Sequence, residues 1–320
     1  MNAAKFAFYL VFFFSFFLVG CTKEVNIDIQ GFEQQLVVEG NIETNGFPIV
    51  LLSLSQDVYA PTNLGNYLSS FVTDASVSVT NGTQTVQLSL FSINDLPEAS
   101  KKTVAEILKL EYNEVGFLPI LVYSTTDPSI KGEIGKSYTL NILHKGKNYS
   151  GTTSILPPVA LDNLTWKPES SNPLYGYSYA LLSDPANEYN AYKWEAKRIN
   201  IQSNGEELDT LFRKGQNGYF DDRFFDGITF EFDAPNRQKR KNPNHLEEYK
   251  RFYMLGDSVV VKFSRIDEAA FNFFDKKDAQ VGSAGNPFAT PVNVPSNITG
   301  GALGIWAGVS PWYDTLYCIP

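Results

Sequence analysis

Through the first half of the chain, apolar and polar residues alternate with a period of two in short runs broken by turn residues. "QLVVEGNIE" and "IVLLSLSQ" flank "TNGFP", where Asn45-Gly46 is a hairpin signal and Pro48 lengthens the loop. Val77 and Val79 alternate with serines, Asn81-Gly82 turns, and Val86, Leu88 and Leu90 resume the alternation. Tyr138, Leu140 and Ile142, a turn at Lys145-Gly146-Lys147, and Tyr149 make a third pair. A period of two buries one face of each strand and wets the other. Residues 99–112 fit two elements. Val104, Ile107, Leu108 and Glu111 fall at helical spacing, while Leu108, Leu110 and Tyr112 suit a strand.

"LPPV", Leu156 to Val159, breaks the pattern, because two prolines lack backbone donors and fix φ. The expected domain junction lies there. Residues 36–157 read as an antiparallel β-sandwich of immunoglobulin-like or transthyretin-like size. Residues 158–320 read as a second, mainly β domain. Its strands include "YGYSYALLSD", a run turning at Asn204-Gly205, the alternation Ile228, Phe230, Phe232, and Val259 to Phe263. One helix is predicted near 265–278. Ile266, Ala269, Ala270, Phe273, Phe274 and Lys277 share a face, and Ser264 with Asp267 resembles a capping box. A last strand is expected near Leu303 to Ala307, with Leu303, Ile305 and Ala307 inward and Trp306 on the other face. The fold class expected is all-β.

The N-terminus follows a different rule. After Met1 and a single charge at Lys5, "FAFYLVFFFSFFLVG" is an apolar stretch of secretory-signal length, short of the ~20 residues that span a bilayer. Leu18-Val19-Gly20-Cys21 then matches the pattern at which a lipoprotein signal is cleaved. Residues 1–20 are therefore read as a signal peptide and 21–35 as a polar tether, with Cys21 acylated (palmitate among the chains) and anchoring the protein. Each buried methylene contributes about 0.8 kcal/mol. Thr22 in place of an aspartate favours the outer membrane, and Lys23-Glu24 partly resembles a surface-export tag.

A net charge of −9 over 320 residues gives no nucleic-acid footprint. With Cys21 spent on lipid, Cys318 has no intramolecular partner and there is no disulfide framework. His144 and His245 leave little room for a histidine-based metal site, and His144, beside a turn, reads as a surface residue. No cofactor is expected.

Three constellations have candidate chemistry. Asp221, Asp222 and Asp226 before Gly227 could hold calcium, which takes several oxygens, although the spacing departs from the EF-hand loop. A strand-to-strand turn with solvated aspartates is the commoner outcome. Arg237, Lys239, Arg240 and Lys241 in "NRQKRKNPNH" could meet lipid headgroups or an acidic receptor loop, or form a solvated loop. Trp166, Trp194, Trp306 and Trp312 could build a binding platform, but in a β-core they are more often buried. No GxSxG, HExxH, P-loop or GxGxxG context occurs, so no enzyme is expected.

"GNPFATPVNVPSNITGGALGIWAG", residues 285–308, resembles the C-terminal signature of a Bacteroidota lipoprotein family catalogued as domain of unknown function four-two-four-nine. The lipobox cysteine, the tether, the "LVVEG" strand and the "YTLNI" strand with its glycine turn are similar too, so the resemblance spans nearly the whole mature chain. The family's genes often lie beside genes for TonB-dependent outer-membrane receptors. The resemblance thus implies an accessory or ligand-capture partner of such a receptor, at the outer membrane and exposed at the cell surface. The alternative is a structural or adhesive surface lipoprotein without a transport role. The family supplies no catalytic residues, and the ligand is not identified.

Overall fold

A computed structural model describes residues 33–57, 63–234, 249, 251–283, 290 and 292–319. The chain from Gln34 onward forms one compact unit. Strands account for 45% and helices for 17%, so the class is all-β as expected.

The predicted hairpins form. β1 (Leu36–Glu43) turns at Asn45, which has φ 62°, into β2 (Ile49–Leu54). A short helix α1 (Leu64–Ser69) is capped by the Asn63 side chain. β3 (Ser76–Thr80) and β4 (Thr85–Ser92) turn at Asn81-Gly82, where the Asn81 carboxamide accepts from the N–H groups of Thr83 and Gln84. The ambiguous 99–112 segment is helical: α2 (Glu98–Leu108) ends at Lys109 in the left-handed region, and α3 (Tyr112–Val115) follows. Val104 and Ala105 are fully buried against Ile49, Leu51 and Val122, so burial of one helical face decides the outcome. β5 (Leu121–Ser124) comes next. β6 (Ser137–His144) and β7 (Lys147–Ser154) close on Lys145-Gly146, both with positive φ, as a two-residue hairpin needs.

The second half holds β8 (Asn163–Pro168), β9 (Tyr175–Ser183), β10 (Ala191–Arg198), β11 (Arg213–Asp221), β12 (Thr229–Asp233), β13 (Tyr253–Met254) and β14 (Ser258–Ile266). Then come α4 (Glu268–Gly282), β15 (Ile298–Thr299) and β16 (Leu303–Tyr317). The predicted helix forms, with a correction at its start. Ser264 lies inside β14, and Asp267 alone caps the helix by accepting from the N–H of Ala270.

The strands β11-β10-β14-β16-β1-β2-β5-β4-β3-β6-β7-β15 form one sheet of 12 strands, and β12-β9-β13 with β8 on β9 form a second. β16 is parallel to β1, Val37 opposite Leu303 and Glu43 opposite Val309, and antiparallel to β14. Leu156 to Val159 is a strand-free crossover, as its prolines require. Yet the last strand of the chain sits between strands of both halves, so one sheet runs through 36–157 and 158–320 alike. The apolar cluster of the first half accordingly includes Ile298, Ala302 and Trp306.

β16 is longer than the expected Leu303 to Ala307 and is buried on both faces from Ile305 to Val309. Ile305, Ala307 and Val309 pack under Phe271 and Phe273 of α4, while Trp306 enters the cluster of Val38, Tyr138 and Ile298 and donates its indole N–H to the Tyr138 carbonyl at 2.9 Å. Leu303, expected inward, is exposed. Gly40 leaves room for the indole, since a Cβ there would lie 2.6 Å from Trp306 Cε3.

Candidate functional site

The β9–β10 connection and the turn after β11 bring three carboxylates together. Asp184, Asp222 and Asp226 offer oxygens that all lie within 4.8 Å of one another, with Asp184 and Asp222 buried and Asp226 exposed. The predicted triplet is thereby revised. Asp221 leaves the group, because adjacent strand residues face opposite ways. It accepts from the Tyr189 hydroxyl at 3.0 Å and pairs with Arg223 at 2.5 Å. Asp184, 38 residues before Asp222, takes its place, and no sequence spacing could have shown this.

Each carboxylate already accepts protein donors. Asp184 Oδ1 takes the Tyr192 hydroxyl at 2.6 Å, and its Oδ2 takes the Gly227 N–H at 3.1 Å. Asp222 Oδ2 takes the Asn190 backbone N–H at 2.7 Å and the Asn190 carboxamide at 3.0 Å. Asp226 Oδ1 takes the Asn187 N–H at 2.9 Å. Burial pushes the Asp222 carboxyl up, the Asn190 bonds pull it down, and Asp184 and Asp226 push it up again. The donor set is that of a hard divalent cation. The same bonds from protein donors also order the turn. Gly227, with φ 69°, supplies the turn expected after the aspartates.

A second ionisable cluster lies between the large sheet and α2. Lys262 Nζ is 2.7 Å from Glu43 Oε2 and 4.0 Å from Glu106 Oε2. Lys193 Nζ is 2.8 Å from Glu195 Oε1, while the other oxygen of Glu195 is buried without a partner. Tyr313 donates to Glu43 Oε1 at 3.1 Å. Three carboxylates thus share two ammonium groups. Burial pushes Glu106 up to about 7, with Lys262 opposing and Glu195 reinforcing the shift. Burial disfavours the charge of Lys262, but Glu43, Glu106 and Glu195 outweigh it and hold its pKa well above the ordinary value. Glu106 also accepts the Phe212 N–H at 3.3 Å, which ties α2 to the β10–β11 loop. The cluster fastens a helix to a sheet. Its members are scattered from 43 to 313, beyond any motif.

The remaining candidates resolve toward structure. Trp166, Trp194 and Trp306 are buried in three apolar clusters, and Trp312 packs partly buried beside Trp194 and Phe263. His144 is a correction: it is buried, and its Nε2 lies 3.1 Å from Asp74. Cys318 is fully buried and free, and burial followed by Asp257 pushes its thiol far up, which leaves a packed thiol with no nucleophilic character. A shallow groove of about 310 Å³ crosses β3, β6, β7 and β15 along the row Ser78, Asn141, Ser150, Thr299. It offers hydroxyls and amides and, apart from the Tyr149 phenol, no group that titrates. Cys21, His245 and the basic run Arg237 to Lys241 lie outside the described residues. So does part of the C-terminal signature.

Comparison with curated proteins and with solved structures gave no match. A family model, domain of unknown function DUF4249, matches residues 22–311, and the chain belongs to that family.

Proposed function

We propose that the protein is a lipoprotein held in the outer membrane through acylated Cys21, exposed at the cell surface, where it serves a TonB-dependent receptor as an accessory or ligand-capture partner in nutrient uptake. The observation that carries the reading is the position of the lipobox against the fold. Cys21 falls 13 residues before Gln34, where the compact unit begins, so acylation and folding make no competing demands on the chain. The body itself contributes surfaces: a polar groove, an acidic turn and exposed apolar side chains. The ionisable groups it brings together are engaged in ion pairs or hydrogen bonds that tie elements to one another. This supports a binding role over a catalytic one.

Two measurements test the reading. Cys21→Ala should move the protein out of the outer-membrane fraction, and retention there would refute the anchor. Co-purification of the wild type with a β-barrel receptor, identified by mass spectrometry, supports the accessory role. A surface-exposed protein that repeatedly purifies without a receptor would favour the structural or adhesive alternative.

A further inference from the structure

The outer face of β4-β3-β6-β7 carries no charge. β3 (Ser76–Thr80), β4 from Thr85 to Ser89, β6 (Ser137–His144) and β7 from Asn148 to Ser154 turn alternate residues outward. Every outward residue except Leu143 is Ser, Thr, Asn or Gln. The chain as a whole is 19% charged, and the second sheet places Lys167 and Glu231 on its solvent side as an ion pair at 2.6 Å. Beside the polar groove the outward side chains satisfy one another: Ser137 bonds Ser154 at 2.7 Å, and Thr139 bonds Thr152 at 2.9 Å. Inside the groove the pattern changes. Among the described residues, the side chains of Ser78 and Asn148 make no hydrogen bond to the protein. Asn141 uses only its Oδ1, which accepts from the Ser150 hydroxyl at 3.1 Å, so its amide donors remain open to a ligand.

The lining defines the ligand's chemistry. It holds no carboxylate, ammonium or guanidinium, so it has no countercharge for a phosphate, a metal ion or a charged peptide. Its hydroxyls and carboxamides both donate and accept, as the hydroxyls of a sugar ring do. Leu143, 47% exposed, stands between Ser76 and Asn148 across the strands and presents an apolar spot to the C–H face of such a ring. From Ser78 through Asn141 and Ser150 to Thr299 the row crosses from β3 to β15. At the ordinary spacing of strands that is roughly 14 Å. A volume of about 310 Å³ falls in the range of small-molecule sites. The length suits a short oligosaccharide lying across the strands.

We propose that this groove captures a neutral oligosaccharide, whose hydroxyls bond to Ser78, Asn141, Asn148 and Ser150 and one of whose rings rests on Leu143. The inference rests on the ligand-capture reading above and adds the class of ligand and the surface that takes it. A charged sugar is disfavoured, because its carboxylate or sulfate would give up water for a lining that holds no cation.

The test presents the full-length, acylated protein in detergent micelles to immobilised oligosaccharides. The neutral probes are glucose-, mannose-, galactose- and xylose-based, and the acidic probes are uronic-acid and sulfated chains. The expected result is binding to at least one neutral series, stronger for oligomers than for the monosaccharide, and weaker or absent binding to the acidic chains. Asn148→Ala should lower the affinity about three- to tenfold, the worth of one hydrogen-bonding side chain, and Leu143→Asp should lower it further. Thr85→Ala, on the same outer face beyond the groove, should bind as the wild type does. These side chains lie on the solvent side of the sheet, so all three variants should melt with the wild type. Binding to no neutral probe, equal or tighter binding to the acidic chains, or neutral binding that survives both Asn148→Ala and Leu143→Asp would each overturn the inference. If neutral sugars bind through the groove and no β-barrel receptor co-purifies, the groove stands and the receptor reading falls. If a receptor co-purifies and no neutral sugar binds, the receptor reading stands and the groove falls.

Discussion

The side-chain amide of Asn297 pairs with the backbone of Trp306 as a neighbouring strand would. Its Oδ1 accepts the Trp306 N–H at 2.9 Å, and its Nδ2 donates to the Trp306 carbonyl at 2.8 Å. One residue of the C-terminal signature thus satisfies both backbone groups of a tryptophan that is fully buried. Asn297→Ala would leave both groups without a partner in an apolar setting, at a cost of about 1–3 kcal/mol. Chemical denaturation of the soluble form should show a lower midpoint with the slope unchanged. Asn148→Ala, at the exposed groove, is the control and should leave the midpoint alone.

Gly40→Ala should destabilise through the same tryptophan. The new Cβ would meet Trp306 Cε3 at 2.6 Å, and overpacking of this kind costs about 1–3 kcal/mol. The near-ultraviolet circular dichroism of Trp306 should change with it. An alanine variant that melts with the wild type would show that the indole shifts freely, contrary to its bond with Tyr138.

Why Gly40 and Asn297 could not be assigned these roles from sequence is a matter of distance along the chain. The hairpins at Asn45, Asn81 and Lys145 were legible, since a turn signal and a period of two are local properties. Helix α4 was legible from its spacing, although its cap was assigned partly to Ser264, a residue that β14 claims. The segment 99–112 could not be settled locally, because burial of Val104 and Ala105 against β2 and β5 decides it. The pairing of β1 with β16 joins Val37 to Leu303, and no alternation pattern encodes a partner so remote. For the acidic turn, two of its three carboxylates were legible as a cluster. The third, Asp184, arrives through the β9–β10 connection.

The Glu106 cluster predicts a pH dependence of stability. Burial pushes the Glu106 carboxyl from its ordinary value near 4.5 up to about 7 in the folded state. The folded state therefore holds a proton that the unfolded state releases earlier. The contribution is fully present below about pH 4.5 and is lost as pH rises through about 7. Glu106→Gln keeps the shape and removes the titration, so the variant should lack the wild-type decline between those limits. The difference should be on the order of 2 kcal/mol, read by urea denaturation at pH 5 and pH 8. Parallel curves for the two proteins would exclude Glu106 as the titrating group.

Chelation should leave the acidic turn intact. Asp184, Asp222 and Asp226 accept from Tyr192, Gly227, Asn190 and Asn187, so protein donors already hold them in place. EDTA is expected to leave the melting temperature unchanged. A fall that calcium reverses, and that Asp184→Asn abolishes, would instead make a cation part of the fold.

Removing residues 303–320 should do more than shorten the chain. β16 is hydrogen-bonded to β1 on one side and to β14 on the other, in the interior of the large sheet. Without it, β1 and β14 both lose a partner, and the backbone donors and acceptors along them are left unpaired. On one face Phe271 and Phe273 of α4 lose Ile305, Ala307 and Val309. On the other, the cluster of Val38, Tyr138 and Ile298 loses Trp306. A fully buried large aliphatic or aromatic side chain is worth about 1.5–3 kcal/mol, so the loss of Ile305, Val309 and Trp306 alone reaches into the whole stability of an ordinary domain, about 5–15 kcal/mol. The truncated soluble form should aggregate or be degraded, whereas removal of Ile319 and Pro320 alone should be tolerated. If the longer truncation melts like the wild type and loses only binding, the terminal signature is a recognition surface and its structural role is refuted.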